Sequence, residues 1–160
     1  MQRYPITEKG FKDLTAKLLE LKTKDRPEIT KAIADARDLG DLSENAEYKS
    51  ARERQGFVES KIQELEDKIA RSEVIDINKI SGDTVKFGAT VDLIDIDSDK
   101  ESSYQIVGEY ESNIDENKIS MTSPLAKSLI GKSEGDVVEV HSPMGLREYE
   151  ILHIHYKVHS

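Results

Sequence analysis

The sequence predicts two parts: an antiparallel coiled-coil helical hairpin over residues 1–77, followed by a small α+β domain over residues 78–160. In the first half, apolar residues recur at steps of three and four, which is the spacing of helices that pack along one face. A short non-helical segment separates two such stretches. In the second half the apolar residues form short runs between turn residues, a pattern typical of strands.

The first stretch predicts a helix over residues 8–37, with Thr7 as its N-cap. Pro27 interrupts this helix, and a proline in a helix interior removes a backbone hydrogen bond and bends the axis. The step from Leu21 to Ile29 is one residue longer than a heptad, so we expect a kink and a shift of the apolar face near Pro27. The apolar positions before the proline are Phe11, Leu14, Leu18 and Leu21.

The second stretch predicts a helix over residues 43–72 with a regular heptad seam. Only residues 38–42 separate the two predicted helices, and such a short connection makes them antiparallel neighbours. The turn of the hairpin is therefore expected at a free end. The seam positions are Tyr48, Ala51, Gln55, Val58, Ile62, Leu65 and Ile69.

The second half predicts a sheet interrupted by one helix. Ser123 is a suitable N-cap, Pro124 suits the first helical turn, and Gly131 suits the end of the helix. The domain boundary falls near residues 77–83, where turn residues cluster. The predicted strands lie around residues 91–96, 104–107, 118–121, 137–140 and 149–154.

The composition excludes several classes of protein. Of the 160 residues 34% are charged, and the net charge is −9. Residues 1–80 carry 16 basic and 17 acidic side chains, whereas residues 81–160 carry 7 and 15. Such acidity argues against binding nucleic acid by bulk electrostatics. The chain has no cysteine and no apolar run long enough to span a membrane, so we expect a cytoplasmic monomer without disulfides or a membrane partner.

Acidic residues crowd the predicted turn. Asp41 and Glu44 are three residues apart, so on a helix they would share a face and continue the seam beyond its partner. One interpretation is a capping box at the start of the second helix. The other is a pair of carboxylate ligands for Mg²⁺, which binds hard oxygen atoms and takes its remaining ligands from elsewhere. The acidic residues are Asp35, Asp38, Asp41, Glu44 and Glu47.

The turn also carries a resemblance. Residues 40–48 (GDLSENAEY) resemble the tip motif of the Gre family of transcript cleavage factors, and residues 51–57 (ARERQGF) continue it. Residues 123–126 (SPLA), 129–132 (LIGK) and 134–138 (EGDVV) are similar to the C-terminal domain of that family. The overall acidity favours the GreA type over the more basic GreB type.

The resemblance implies a function. Gre factors insert their coiled coil into the secondary channel of bacterial RNA polymerase, and their FKBP-like C-terminal domain docks at the channel rim. The acids that match Asp41 and Glu44 help to hold Mg²⁺ at the polymerase active site, beside the nascent RNA 3′ end. The factor is then not an enzyme itself, and backtracked RNA is cleaved by the polymerase. We therefore expect Mg²⁺ only in the complex, with none tightly bound to the free protein.

Further residues receive roles from the same resemblance. Arg37 and Arg52 match a basic patch that faces RNA, although charged flanks are also ordinary in coiled coils. Ser123 and Pro124 match the region that docks on polymerase, and this role is compatible with their capping of a helix.

Three alternatives remain open. His153 and His155 share a face of a predicted strand, but a metal site would need a third ligand. An FKBP-like fold also suits a prolyl isomerase, yet the second half offers few aromatic residues to line an apolar cleft. The third alternative is a Gre-like protein that occupies the secondary channel of the polymerase and inhibits it without promoting cleavage. The presence of both Asp41 and Glu44 argues against this alternative.

Overall fold

A computed structural model describes residues 2–40, 45–80 and 82–156. The chain forms two compact units: Lys12–Arg71 is one, and Met1–Phe11 together with Ser72–Ser160 is the other. This division differs from the expected boundary after residue 77, because the first residues of the chain join the C-terminal part.

The first unit is helical. Thr7 caps the first helix as predicted, since its Oγ1 accepts a hydrogen bond from the Gly10 backbone N–H at 3.1 Å. The predicted helix 8–37 is continuous but not uniform, and the second helix starts three residues later than expected. The helical segments are α1 (Glu8–Glu20), a π-helical turn (Leu21–Asp25), α2 (Arg26–Arg37) and α3 (Ala46–Arg71).

The π turn keeps the apolar face aligned across Pro27. The Arg26 N–H donates to the Leu21 carbonyl five residues back, so this turn holds one residue more than an α turn. That extra residue accounts for the step of eight between Leu21 and Ile29, and both side chains are buried in one cluster. The irregularity lies where the sequence predicts it, but the predicted shift of the apolar face is wrong.

The heptad seam forms the core of this unit. Ala51, Val58, Ile62 and Leu65 of α3 are buried against the preceding helices, as predicted. Tyr48 packs at the edge of the same cluster, and Gln55 and Ile69 are partly buried. The antiparallel coiled-coil hairpin predicted from the spacing is therefore confirmed.

Ion pairs on the surface of the hairpin fix the relative position of its helices. Arg26 binds Glu59 through two hydrogen bonds of 2.9 and 2.8 Å, and Lys22 lies 3.2 Å from Glu66. Exposed pairs contribute little stability, but a two-pronged arginine–carboxylate contact specifies register. None of the helices within the described ranges is both long enough and apolar enough to cross a membrane.

The second unit is built on a five-stranded sheet. The order of strands across the sheet is β5 (Lys118–Ser120), β4 (Glu101–Val107), β3 (Thr90–Asp95), β7 (Gly145–His155) and β6 (Val137–Ser142). Strands β4 and β5 are parallel, and the other neighbours are antiparallel. All five strands predicted from the sequence are present, and together with one short helix they confirm the predicted α+β class.

The helix of this unit is α4 (Pro124–Leu129), and its ends are as predicted. Ser123 Oγ accepts the Ala126 N–H at 3.3 Å, and Gly131 follows the helix with a φ of +87°. Because Ala126 and Leu129 are fully buried in the same cluster as Val91, Leu93 and Ile151, α4 closes one face of the sheet.

A small parallel sheet escapes prediction. Strand β1 (Tyr4–Thr7) pairs with β2 (Ser72–Ile75), with Tyr4 opposite Ser72. Each strand has only four residues, and their partners are distant in sequence, so no local pattern indicates the pair. Ile6 of β1 is fully buried.

Glu111 holds the junction between β1 and α1. Its carboxylate accepts the Thr7 N–H at 2.8 Å, the Thr7 hydroxyl, and the Gly108 N–H at 3.2 Å. Gly10 lies so close that an added Cβ would approach the Glu111 Oε1 to 2.3 Å. One carboxylate thus ties the start of α1 to the segment after β4.

We expect Glu111→Ala to lower the free energy of unfolding by about 2 kcal/mol, because it leaves the buried Thr7 and Gly108 N–H groups without an acceptor. Urea unfolding followed by circular dichroism measures this loss. Glu109→Ala is the matched control, since Glu109 is exposed and should change stability by less than about 0.5 kcal/mol. Equal stability of the two variants would contradict the role of Glu111.

Candidate functional site at the turn of the helical hairpin

The end of α2 is closed by a tight turn. The Leu39 N–H donates to the Ala36 carbonyl at 3.1 Å, and the Gly40 N–H to the Arg37 carbonyl at 3.4 Å. Gly40 has a φ of +128°, a conformation that residues with a Cβ rarely adopt. Leu39 is 66% exposed, so the turn carries an apolar side chain into solvent.

Asn45 joins the two sides of the turn. Its Nδ2 donates to the Ala36 carbonyl at the end of α2, at 2.6 Å, and its Oδ1 accepts the Tyr48 N–H at 3.0 Å. The second contact is an N-cap of α3. One side chain therefore adds a second hydrogen bond to the Ala36 carbonyl, which also accepts the Leu39 N–H, and satisfies an N–H of the first turn of α3.

The predicted ligands Asp41 and Glu44 lie outside the described residues, and their roles stay a prediction. The predicted helix over residues 43–72 is observed as α3 from Ala46, and Asn45 caps its first turn. Both interpretations of Asp41 and Glu44, capping and ligation, stay predictions. The acids described around the turn, Asp35, Asp38 and Glu47, are exposed.

The two predicted RNA-facing arginines lie beside Tyr48. The Arg37 guanidinium lies 5.9 Å from the centroid of the Tyr48 ring, a cation–π contact across the hairpin. Arg52, one helical turn after Tyr48, donates from Nη1 to the Gln55 Oε1 at 2.9 Å. Both arginines are exposed, and a role toward RNA stays a prediction.

The predicted docking residues lie in the other unit. Ser123 is partly buried because it caps α4, and Pro124 is exposed as the first residue of that helix. Ser123 as the N-cap and Pro124 in the first helical turn are both confirmed, and the docking role stays a prediction.

The histidine pair shares a face as predicted, with ring centroids of His153 and His155 6.0 Å apart. His155 Nε2 lies 2.9 Å from the Asp92 Oδ2, and the Ser103 hydroxyl donates to Oδ1 of the same carboxylate at 2.8 Å. Burial raises the pKa of Asp92, but the hydrogen bonds from His155 and Ser103 together outweigh it and hold the pKa below its usual value. Across residues 2–40, 45–80 and 82–156, no three acidic or histidine side chains form a metal-binding group.

Comparison with known proteins identifies the family. The family model described as "Transcription elongation factor, N-terminal" matches residues 4–74, and "Transcription elongation factor, GreA/GreB, C-term" matches residues 80–156. The chain belongs to the GreA/GreB family. The resemblance to Gre factors found in residues 40–48 is therefore confirmed over nearly the whole chain.

Individual members of the GreA/GreB family are similar over their full length. The transcription elongation factor GreA of Acidiphilium cryptum is 59% identical, with 98% of this chain and 99% of the relative covered. That of Rickettsia prowazekii is 57% identical, with 97% and 96% covered. A solved structure of GreA factor homolog 1 of Thermus thermophilus is 29% identical, covers 96% of this chain and 99% of its own, and has a TM-score of 0.44.

Sequence reasoning missed Asn45, which lies inside the Gre-like motif. Asparagine is among the best N-caps, and Asn45 stands three residues before Tyr48, where the seam begins. That spacing could have predicted the cap. The bond from Asn45 to the Ala36 carbonyl has no local signal, because it depends on how the two helices approach each other.

We expect Asn45→Ala to destabilise the helical unit by about 1–2 kcal/mol, since it removes both the cap of α3 and the bond to α2. Asn45→Asp is the matched control. It keeps the capping oxygen but loses the donor to Ala36, so its loss should be smaller. Urea unfolding compares the three proteins, and an Asn45→Ala variant as stable as the parent would show that the contact contributes nothing.

Proposed function

We propose that the protein is a transcription elongation factor that enters the secondary channel of bacterial RNA polymerase and stimulates the polymerase's own cleavage of backtracked RNA. Membership of the GreA/GreB family supports this proposal, as do relatives named transcription elongation factor GreA at up to 59% identity. On this proposal the protein is an accessory factor, and the hydrolytic site belongs to the polymerase.

The observation that carries the proposal is the construction of the turn. Asn45 bonds to one backbone group at the end of each helix, and Gly40 has a φ of +128° beside the turn. Asp41 and Glu44 lie in the sequence between the two helices. Two carboxylates at the end of a hairpin suit delivery to another molecule.

Asp41 and Glu44 are the proposed delivered groups. Carboxylate oxygens suit Mg²⁺, but two side chains alone leave most of its octahedral positions unfilled. Together with ligands from the polymerase they would hold the ion, which when bound supplies an activated water and stabilises the leaving oxygen. The chain's own contribution is to carry these two groups on a narrow, stiff support to the RNA 3′ end.

The remaining predicted residues have places in this proposal. Arg37 and Arg52 would face the RNA, whose phosphates carry the negative charge that guanidinium groups bind well. The cation–π contact with Tyr48 would hold the Arg37 side chain beside the turn before RNA arrives. Ser123 and Pro124 would contact the rim of the channel from the N-terminal end of α4.

A prolyl isomerase gains no support from the second unit. An isomerase needs an apolar cleft lined by aromatic side chains. Three cavities among the described residues of this unit have no Phe, Tyr or Trp in their lining. One of them is bounded by Lys9, Thr90, Ser103, Gln105, Glu116, Asn117 and Lys118.

We expect Asp41→Ala and Glu44→Ala each to reduce stimulated RNA cleavage by roughly 100-fold or more, while binding to polymerase stays within about threefold. The measurement adds each protein to stalled, backtracked elongation complexes with Mg²⁺ and follows the RNA 3′ end on a gel. Asp38→Ala is the matched control, because it removes an exposed carboxylate from the same turn.

The result can fail in two ways. Parent protein that binds polymerase but releases no short 3′ fragments would favour an inhibitor that occupies the channel. Variants that lose thermal stability and binding together would show that Asp41 and Glu44 act as a cap and not as ligands.

We expect the free protein to bind Mg²⁺ no more tightly than about 1 mM, because two carboxylates provide too few ligands for this ion. Isothermal titration with MgCl₂ measures this, with Asp41→Ala as the reference for non-specific binding. Micromolar affinity that disappears in Asp41→Ala would mean that the free protein already holds the metal, and that the polymerase is not needed to complete the site.

A further inference from the structure

Two adjacent residues in the middle of α3 have no structural explanation within the free protein. Phe57 is 73% exposed, although Val58 beside it is buried in the seam. Gly56 is exposed in the interior of a 26-residue helix. A large apolar side chain in water and a glycine in a helix interior are each unfavourable, and here they are neighbours.

Gly56 is not required by the packing of the hairpin. A Cβ added at this position would meet no atom of the described residues within 4 Å. Nor is it required by the backbone, because Gly56 lies in α3 and is not among the glycines with positive φ. A glycine that neither contacts nor conformation demands is explained when another molecule approaches the helix backbone closely.

We propose that Gly56 and Phe57 form a contact site for a protein surface of RNA polymerase, in which an apolar pocket receives the Phe57 ring and partner backbone lies against Gly56. This inference rests on the proposed function, because it names a contact with the same partner. Phe57 is eleven residues after the start of α3, about 17 Å along the helix. It therefore lies on the half of the hairpin nearer the turn, which the proposal inserts into the channel.

The surrounding charges favour protein over RNA as the occupant. Glu53 and Arg54 lie one helical turn before Phe57 on the same face, and both are exposed, so their opposite charges offset each other. Lys61, one turn after Phe57, is 3.6 Å from Glu64. The face around the ring therefore has no excess of positive charge, which a site for RNA phosphates would need.

The test compares stability with binding in full-length variants. Gly56→Ala should raise the melting temperature of the free protein by about 2 °C, because alanine is the better helix former and its methyl group enters open space. The same variant should bind core RNA polymerase more weakly, because that methyl group occupies the space of the partner. Opposite changes in stability and binding are not expected from a structural role.

Phe57→Ala should weaken binding to core polymerase about tenfold or more while the melting temperature changes by less than about 1 °C. Leu19→Ala is the matched control, because Leu19 of α1 is also an apolar residue that is 62% exposed. This variant should bind polymerase as tightly as the parent protein does. Competition with a fluorescently labelled parent protein measures all affinities.

Each other outcome overturns the inference. Parent-like binding by both Gly56→Ala and Phe57→Ala would leave the proposed function intact and remove this contact. If Phe57→Ala weakens binding only to polymerase complexes that contain RNA, the ring contacts RNA. If sedimentation velocity shows that the parent protein is a dimer and that Phe57→Ala is a monomer, the ring contacts a second copy of the chain. Failure of the parent to bind polymerase would refute the proposed function and this contact together.

Discussion

The continuous apolar seam of the hairpin is the constraint on which the other features depend. A turn can present its residues at a fixed place only if both helices leave it in register. Pro27 could disrupt that register, because it removes a backbone hydrogen-bond donor inside the first helical stretch and bends the helix axis. The π turn at Leu21–Asp25 takes up one extra residue, so Leu21 and Ile29 bury their side chains in the same cluster. Without that turn, the residues on one side of Pro27 would face water.

The contacts at the end of the hairpin follow from this alignment. The end of α2 lies beside the start of α3, so Asn45 reaches the Ala36 carbonyl. For the same reason the Arg37 guanidinium contacts the Tyr48 ring. Packing along the seam thus brings together the side chains on the two sides of the turn.

Much of the fold was predictable from the sequence because its signals are local. The seam of α3 repeats without error, and the N-caps Thr7 and Ser123 stand directly before their helices. The π turn was signalled by Pro27 and by the step of eight, but its consequence for the apolar face was not, because a kink and an inserted residue produce the same spacing. The pairing of β1 with β2 and the bonds of Glu111 join residues far apart in sequence, and no local pattern reports them.

The candidate site was predictable to a different degree. A family resemblance assigned roles to Asp41 and Glu44, whereas the local pattern alone left both capping and ligation open and favoured capping. Among the described residues Asn45 caps α3, and both interpretations of Asp41 and Glu44 stay predictions. Acidic residues lie on both sides of Asn45 and suggest a cap or a metal site by themselves. Asparagine directly before a helix is also a capping signal, and it predicts the role of Asn45.

The distribution of charge decides what kind of recognition this chain can use. Residues 81–160 are strongly acidic, so they cannot approach RNA or DNA by attraction to phosphate. The helical half is nearly neutral, and exposed charges such as Arg26 and Glu59 are neutralised by each other. Long-range electrostatics therefore do not favour the approach of this protein to a polynucleotide. Short-range contacts with a protein do not depend on net charge, and the contact proposed for Phe57 and Gly56, an exposed apolar ring beside open backbone, is of that kind.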